Sequence, residues 1–331
     1  KNPAEKNVFL VEELRIQSGV FQRDFSRIQR KGETRMQPAP PTASTPTKVQ
    51  PQSHSPKNIL ITGGAGFIGS HVVILLTKKY PQYNIINLDK LDYCSSLNHL
   101  LSIQSKNNYK FVRGDICSPD LVNYVFKENN IDTVLHFAAQ THVDNSFGNS
   151  FSFTKNNVMG THVLLEAAKE HGVKLFVHVS TDEVYGDGVN NDDHAMQEEH
   201  VLEPTNPYAA TKAAAEFLAK SYHRSFHLPI IITRGNNVYG PHQFPEKLIP
   251  KFIHQLDRNE RVTVHGTGEN QRNFLYVTDV ANAFDLIVHQ GIVGSIYNIG
   301  GKNERTNLNV AETLIQAMKG GKGKKKNKNK G

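Results

Sequence analysis

Two adjacent carboxylates follow an apolar run in the stretch VSTDEVYGDG, residues 179–188. The run gives way to two hydroxyl residues, Ser180 and Thr181, and then to Asp182 and Glu183. Repulsion between neighbouring carboxylates raises the cost of ionising both, so one of them tends to keep its proton. A pair in opposite protonation states can act as general acid and general base, whereas an exposed pair would be only a solvated turn.

A tyrosine and a lysine lie four residues apart in NPYAATK, at the start of a predicted helix. This spacing places Tyr208 and Lys212 on one helix face. Because a nearby ammonium lowers the pKa of a phenol, we expect Tyr208 to remove a hydroxyl proton while a hydride leaves the same carbon. The alternative is an ordinary surface pair, which the spacing alone would favour.

The stretch GGAGFIG supplies three glycines between a predicted strand and a predicted helix. Gly63, Gly66 and Gly69 have the spacing that lets a backbone turn approach a pyrophosphate at a helix N-terminus. Asp89 ends the next predicted strand, where a carboxylate can accept hydrogen bonds from an adenosine ribose. A plain strand-to-helix turn would not need that acid, so the combination predicts a dinucleotide site that prefers NAD.

Six short apolar runs alternate with stretches of helical periodicity from residue 57 onward. This alternation predicts an α/β fold, a doubly wound parallel sheet of the Rossmann type with helices on both faces. Ligands of such sheets bind beyond the carboxyl ends of the strands, which is where residues 180–183 lie. The predicted strands are 58–62, 84–89, 109–115, 133–139, 174–180 and 229–234.

Both ends of the chain differ in composition from its body. Residues 1–56 form a predicted extension, with a candidate helix in 7–28 and a disordered linker rich in Pro, Ser and Thr. Residues 319–331 form a predicted disordered tail whose seven lysines equal the net charge of +7. Residues 57–318 are mildly acidic, so we expect no nucleic-acid partner beyond nonspecific contacts of the tail.

Hydropathy and cysteine content predict the protein's environment. No apolar run approaches the length of a membrane span, which predicts a soluble protein without a membrane partner. The two cysteines, Cys94 and Cys117, do not make a disulfide framework. We therefore expect a reducing compartment, the cytoplasm.

Six motifs carry a resemblance to a known family: GGAGFIGSH, HFAAQTHVD, STDEVYG, NPYAATKAAAE, NNVYGPHQFPEKLIPKFI and RNFLYVTDVA. Over residues 57–318 the sequence resembles the extended short-chain dehydrogenase/reductases, and among them the nucleoside-diphosphate-glucose 4,6-dehydratases. The triplet Thr181, Asp182 and Glu183 is the discriminating element, since epimerases of the same fold usually lack the Asp-Glu pair.

The resemblance implies an NAD-dependent lyase that converts TDP-glucose or UDP-glucose to the 4-keto-6-deoxy sugar nucleotide. Tyr208, aided by Lys212 and Thr181, would take the C4 hydroxyl proton while NAD accepts the C4 hydride. Glu183 would then remove the C5 proton, Asp182 would protonate the departing C6 hydroxyl, and the hydride would return to C6.

The resemblance also implies binding residues and a homodimer formed through a helix bundle. Contacts with NAD are implied for Gly63, Gly66, Phe67, Ile68, Gly69, Asp89, Lys90, Asp115, Ile116, Ala138, Ala139, Thr141, Asn157, Ser180, Tyr208 and Lys212. Contacts with the nucleotide-sugar are implied for His142, Asn237, Lys247, Leu248, Arg272 and Asn307. No spacing among His136, His142, His178 and His242 resembles metal ligands, so no metal is expected.

Several alternatives stay open at the level of sequence. The family continues beyond the helix that ends near Met318, so the resemblance implies a smaller C-terminal substrate lobe that is truncated. A non-catalytic NAD-binding scaffold, held to an acidic partner by the basic tail, would keep the same cofactor motifs. An epimerase or decarboxylase of the same fold is a further alternative, and the motifs do not decide between TDP and UDP.

Overall fold

Seven parallel strands form the main sheet of the protein. The structure is a computed structural model, and it describes residues 54–186, 196–301 and 303–326. The strands of the main sheet are β1 (Asn58–Thr62), β2 (Asn84–Asp89), β3 (Tyr109–Arg113), β4 (Thr133–His136), β5 (Leu175–Thr181), β6 (Ile230–Gly235) and β9 (Ile296–Ile299). Their order is β3-β2-β1-β4-β5-β6-β9. The order reverses between β1 and β4, and ligands of such sheets bind at this switch point.

Nine helices are described, and together with short turns they connect the strands. They are α1 (Phe67–Lys79), α2 (Pro119–Glu128), α3 (Val143–Gly148), α4 (Ser150–Phe153), α5 (Gly160–Glu170), α6 (Pro207–Phe226), α7 (Leu248–Asp257), α8 (Val277–Gln290) and α9 (Asn307–Lys326). A wide π turn, Thr154–Met159, joins α4 to α5. Two 3₁₀ turns lie at Leu97–Leu100 and Asp182–Tyr185.

Helices cover both faces of the main sheet, because its central strands carry buried apolar residues on both sides. On one face, α1 and α8 contribute Val72, Leu76 and Phe284 to a single apolar cluster. On the other face, α2, α5 and α6 contribute to a second cluster that includes Phe126 and Leu164. The predicted doubly wound Rossmann-type fold is therefore confirmed.

A smaller lobe lies at the carboxyl end of the chain. Its sheet has the order β10-β8-β7, formed by β7 (Asn237–Tyr239), β8 (Gln271–Tyr276) and β10 (Glu304–Thr306). Helices α7 and α9 contribute Phe252 and Leu314 to an apolar cluster of this lobe. Helix α9 continues beyond residue 318, the predicted end of the folded body, through a stretch of lysines and glycines to Lys326.

The predicted strands agree with the observed ones within a few residues at each end. Sequence analysis missed β9, a short strand that is partly exposed over most of its length, and the three strands of the smaller lobe. The candidate helix in 7–28, nearly all of the predicted linker and residues 327–331 of the tail lie outside the described residues. None of the described helices is both long and apolar enough to cross a membrane.

Candidate active site

A cavity of about 350 Å³ opens at the carboxyl edge of the main sheet, between the sheet and the smaller lobe. Residues that follow β1, β2, β4 and β5 line it, together with residues from α6 and from the segment before α7. The structure thus brings most of the predicted site residues to one place. Those that line the cavity are Gly63, Gly66, Phe67, Ile68, Gly69, Asp89, Lys90, Asp115, Ile116, Ala138, Ala139, Thr141, Ser180, Thr181, Asp182, Glu183, Tyr208, Lys212, Asn237 and Lys247.

The glycine-rich turn forms one end of this cavity. Gly63 has a φ of +72°, and an added Cβ there would lie 2.6 Å from the backbone nitrogen of Ala138. Only glycine fits such a position without strain. Helix α1 begins one residue after Gly66, which makes no side-chain cap, so the first N–H groups of the helix are available to an anion.

Asp89 ends β2 and is held firmly by the neighbouring backbone. Its carboxylate accepts hydrogen bonds from the backbone nitrogens of Ala65 (3.0 Å) and Leu91 (2.8 Å), and from the Ser95 hydroxyl (3.2 Å). A carboxylate has about four acceptor sites. One site therefore remains to accept a hydrogen bond from a ligand in the cavity.

Ser180 and the residues beside Asp89 add polar groups to the same cavity. The Ser180 hydroxyl is buried and has no hydrogen-bond partner among the described residues. The Lys90 ammonium lies 3.3 Å from the Asp92 carboxylate and donates a 3.0 Å hydrogen bond to the Asn156 amide oxygen. An unsatisfied hydroxyl, a fixed carboxylate and a free helix N-terminus fit the carboxamide, ribose and pyrophosphate of a dinucleotide.

Asn157 does not line this cavity, in contrast to the implied contact with NAD. Its side chain is 1% exposed and is fully used by the protein. It accepts a hydrogen bond from the Gln140 nitrogen (2.7 Å) and donates to the Gln140 oxygen (3.0 Å) and the Thr211 hydroxyl (2.9 Å). Asn156 lines the cavity instead, because the π turn at Thr154–Met159 changes which residue faces the ligand side.

Asp182 and Glu183 lie in the 3₁₀ turn that follows β5. Thr181 caps this turn: its hydroxyl accepts a 3.3 Å hydrogen bond from the Glu183 nitrogen and donates one of 3.3 Å to the Asp182 carboxylate. The Asn206 amide donates a 3.2 Å hydrogen bond to the Glu183 carboxylate. Burial, and then the charge of Glu183, raise the pKa of Asp182 to about 6. Asp182 therefore keeps its proton to a higher pH than an ordinary aspartate does.

Tyr208 and Lys212 reach the cavity from the first turns of α6. Asn206 caps this helix by accepting a 2.8 Å hydrogen bond from the Ala209 nitrogen. The Lys212 ammonium is buried and donates a 2.7 Å hydrogen bond to the Val179 carbonyl of β5. Burial lowers the pKa of Lys212 to about 8, although the charge of Glu216 opposes this shift.

The pKa of Tyr208 departs from the sequence-based expectation. We expected the Lys212 ammonium to lower it, but burial raises the pKa of Tyr208. The negative charges of Glu183 and Asp182 raise it further, and a hydrogen bond with Thr181 offsets only part of the shift. The expectation was wrong because spacing along a helix does not show how deeply a phenol is buried.

Four residues implied to bind the nucleotide-sugar lie away from the cavity lining. Leu248 begins α7 and packs against the apolar cluster of the smaller lobe. His142 caps α3 and lies 3.4 Å from the Glu246 carboxylate. Arg272 is exposed on β8, yet its positive charge opposes part of the rise in the pKa of Asp182. The Asn307 amide oxygen at the start of α9 is buried without a hydrogen-bond partner among the described residues.

Sequence analysis also missed several residues that line the cavity. The Gln140 amide donates a 2.6 Å hydrogen bond to the Asp92 carboxylate, and the rings of Tyr93 and Phe244 meet edge to face at 5.3 Å. These pairs join segments far apart in sequence, so no local spacing indicated them. Glu246 also lines the cavity. It directly precedes Lys247 in FPEKLIP, and this position beside a predicted contact could have identified it as a site residue.

The histidines singled out from the sequence occupy structural positions. His136 is buried in β4, where its ring bonds the hydroxyls of Thr62 (2.8 Å) and Thr161 (2.9 Å). His178 is fully buried in β5, and the His242 ring stacks on that of His99 with centroids 4.4 Å apart. Across the residues that the structure describes, no group of three or more His, Cys, Asp or Glu side chains could hold a metal ion.

The chain matches known proteins over most of its length. A family model described as GDP-mannose 4,6 dehydratase matches residues 60–331. An Arabidopsis thaliana trifunctional UDP-glucose 4,6-dehydratase, UDP-4-keto-6-deoxy-D-glucose 3,5-epimerase and UDP-4-keto-L-rhamnose-reductase is 57% identical over 265 residues, which are 80% of this chain and 40% of that protein. A Homo sapiens dTDP-D-glucose 4,6-dehydratase is 53% identical over 263 residues, 80% of this chain and 74% of that protein.

A solved structure agrees with these sequence relatives. The crystal structure of a Bacillus anthracis dTDP-glucose 4,6-dehydratase in complex with NAD superimposes with a TM-score of 0.73 at 43% identity, and covers 78% of this chain and 80% of that one. The chain thus spans about two fifths of the plant relatives' length and most of the bacterial enzyme's. The resemblance implied by the six motifs is confirmed. The chain belongs to the GDP-mannose 4,6 dehydratase family of short-chain dehydrogenase/reductases.

Proposed function

We propose that the chain is an NAD-dependent nucleoside-diphosphate-glucose 4,6-dehydratase, a hydro-lyase acting on TDP-glucose or UDP-glucose. The observation that carries the proposal is that two pairs of residues line one cavity, Asp182 with Glu183 and Tyr208 with Lys212. The second pair suits removal of a hydroxyl proton during oxidation. The first pair suits elimination of water, which an epimerase does not perform and a scaffold does not need.

NAD fits the end of the cavity formed by the glycine-rich turn. The N–H groups at the start of α1 would hold the pyrophosphate, Asp89 the adenosine ribose, and Ser180 the nicotinamide end. Bound NAD supplies a hydride acceptor for the sugar C4 and returns the hydride to C6, so the net reaction is loss of water. The crystallised relative with NAD bound supports this assignment.

Tyr208 takes the proton from the C4 hydroxyl in the oxidation step. Its raised pKa keeps Tyr208 a neutral phenol, so a cation must stabilise the phenolate before it can accept that proton. Lys212 lies on the same face of α6, is buried, and has a pKa of about 8, which leaves it mostly charged at neutral pH. A hydrogen bond between Thr181 and the phenol offsets part of the rise in the pKa of Tyr208.

Asp182 and Glu183 carry the elimination step. Oxidation at C4 acidifies the C5 proton, which the Glu183 carboxylate removes. Asp182 donates a proton to the departing C6 hydroxyl. A pKa of about 6 suits this task, because a general acid works best when its pKa lies close to the working pH.

The smaller lobe would hold the nucleotide part of the substrate. Asn237 and Lys247 line the cavity on that side, and an ammonium there suits a diphosphate. Arg272 and Asn307 remain predicted diphosphate contacts, and the positive charge of Arg272, which acts on Asp182, supports the first of them. Relatives that act on either nucleotide are similar to this chain, so the proposal covers both.

We further propose a homodimer formed through α3, α4 and α6. Phe147, Phe151 and Phe217 are 66%, 80% and 58% exposed on these neighbouring helices. Large exposed aromatic residues at adjacent positions are typical of a protein interface. Sedimentation velocity should give a dimer that Phe151→Glu dissociates. A cytoplasmic location is proposed as well, supported by the free thiols of Cys94 and Cys117.

Mass spectrometry of the nucleotide-sugars tests the proposed activity. The full chain is incubated with NAD and either TDP-glucose or UDP-glucose, and loss of one water from either sugar is expected. An unchanged mass with a changed configuration at C4 would instead identify an epimerase. Unchanged sugars in the presence of bound NAD would favour the scaffold.

A further inference from the structure

The 3₁₀ turn that contains Asp182 and Glu183 is held by hydrogen bonds at its last residue, Tyr185. This side chain is 4% exposed. Its hydroxyl accepts a 2.7 Å hydrogen bond from the Arg234 guanidinium and donates one of 2.8 Å to the Asn298 amide oxygen. The Arg234 guanidinium carbon also lies 4.7 Å from the centroid of the Tyr185 ring.

Arg234 is fixed in turn by a buried ion pair. Its guanidinium donates hydrogen bonds of 3.0 and 2.7 Å to the two carboxylate oxygens of Glu216. The side chains of Arg234 and Glu216 are 1% and 0% exposed. A buried ion pair of this kind is rigid when its remaining donors are satisfied. Here two further N–H groups of the guanidinium bond the Tyr185 hydroxyl and the Glu198 carbonyl, the latter at 3.1 Å.

Glu216 connects this network to the helix that carries the other catalytic pair. It lies on α6, four residues after Lys212 and eight after Tyr208, so the three side chains share one helix face. The network therefore joins α6, strand β6 of the main sheet, and the turn with Asp182 and Glu183. None of its members lines the cavity.

We propose that Tyr185, Arg234 and Glu216 are positioning residues that hold the Asp182–Glu183 turn against Tyr208 for the elimination step. The inference rests on the proposed dehydratase function. Tyr208 and Lys212 have separate supports, namely the Asn206 cap of α6 and the bond from Lys212 to the Val179 carbonyl. Loss of the Tyr185 hydroxyl therefore impairs elimination and spares oxidation.

The test compares Tyr185→Phe with Tyr222→Phe. Each variant removes the hydroxyl of one buried tyrosine. Tyr222 lies on the far part of α6, away from the cavity, and donates a hydrogen bond to Glu166 of α5. Tyr185→Phe should lower kcat for water loss roughly 10- to 100-fold, since a misplacement of about 1 Å can cost that much. KM and NAD affinity should stay within about twofold of wild type. Tyr222→Phe should keep the wild-type kcat.

The spectroscopic signature is enzyme-bound reduced nicotinamide. If oxidation continues while elimination is slow, the absorbance of bound NADH should build up in Tyr185→Phe after addition of sugar nucleotide. A second variant, Asn298→Ala, leaves the hydrogen bond from Arg234 to Tyr185 in place. It should also slow water loss while oxidation continues, with a smaller decrease in kcat. An unchanged kcat in Tyr185→Phe, or a lowered kcat without bound NADH, would overturn the proposal.

A substrate-free measurement separates this inference from the proposed function. Difference infrared titration, with Asp182→Asn to assign the band, measures the pKa of the Asp182 carboxyl. Release of the turn in Tyr185→Phe should admit water and move this pKa from about 6 toward its ordinary value near 3.8. If wild type releases no water from either sugar, the dehydratase function fails. The positioning role then fails only if the Asp182 pKa is also the same in both proteins.

Discussion

The Lys212 ammonium donates its 2.7 Å hydrogen bond to the Val179 carbonyl of β5. Val179 lies two residues before Thr181, so this bond connects the helix of Tyr208 directly to the strand that precedes Asp182 and Glu183. The residues proposed for oxidation thus lie on α6 and those proposed for elimination follow β5, and the buried Lys212 ammonium joins these two elements.

Asp182→Asn and Glu183→Gln should separate the two chemical steps. Each variant keeps the volume of the side chain but cannot give or take the proton of elimination, so water loss should fall roughly 10²- to 10⁴-fold. Oxidation at C4 should persist and leave bound NADH, measured by absorbance. Asp120→Asn, an exposed change on α2, is the control. Full water loss by either active-site variant would contradict the assigned roles.

Asp182→Asn should also stabilise the protein at neutral pH. The folded pKa of about 6 lies above the ordinary value of 3.8, so the folded protein holds this proton more tightly than the unfolded chain does. Stability from this group is complete below about pH 4 and is lost as the pH rises through 6. Asparagine avoids that loss. The free energy of unfolding at pH 7 should rise by about 1 kcal/mol, a value discounted for partial exposure.

Urea unfolding at two pH values measures this difference. The gain from Asp182→Asn should be present at pH 7 and absent at pH 4. An equal gain at both would show that packing or hydrogen bonding, rather than titration of Asp182, causes it.

Gly63→Ala should disrupt the glycine-rich turn. The new Cβ would lie 2.6 Å from the Ala138 nitrogen at a φ of +72°, and we expect a loss of about 2 kcal/mol or more in the free energy of unfolding, together with weaker NAD binding. Gly172→Ala is the matched control, because Gly172 has a φ of +63° with open space around it. It should cost about 1 kcal/mol from backbone strain alone. Equal losses in both variants would exclude the close approach to Ala138 as the cause.

Wild type should bind NAD more than about tenfold more tightly than NADP, because the Asp89 carboxylate repels a 2′-phosphate and like charges cost several kcal/mol. Asp89→Asn removes the charge while keeping an acceptor for the Ala65 nitrogen. The preference should shrink in this variant, as measured by isothermal titration calorimetry. An unchanged preference would show that another residue selects the cofactor.

Features set by neighbouring residues in the sequence could be predicted better than features set by contacts between distant segments. The bounds of β1 and β2 matched the prediction, because each is a short apolar run between clear breaks. The carboxylate pair after β5 and the helix pair Tyr208 and Lys212 were also identified locally. Sequence analysis did not indicate Asn156, which lines the cavity next to the buried Asn157, because no local pattern showed the π turn at Thr154–Met159.

Features that depend on burial or on distant segments could not be predicted. The raised pKa of Tyr208 results from its depth in the folded protein. The contacts of Tyr185 with Arg234 and Asn298 join three separate strand ends. No spacing along the chain indicates which of these side chains will meet.

The most direct test of the dehydratase proposal uses a sugar nucleotide that carries deuterium at C4. The account predicts that the full chain with NAD converts it to a product that has lost one water and retains the deuterium on C6, seen by mass spectrometry and deuterium NMR. Retention at C6 would require oxidation at C4, elimination across C5 and C6, and hydride return within one cavity. A product that has lost water without the label, or label returned to C4 with no loss of water, would contradict it.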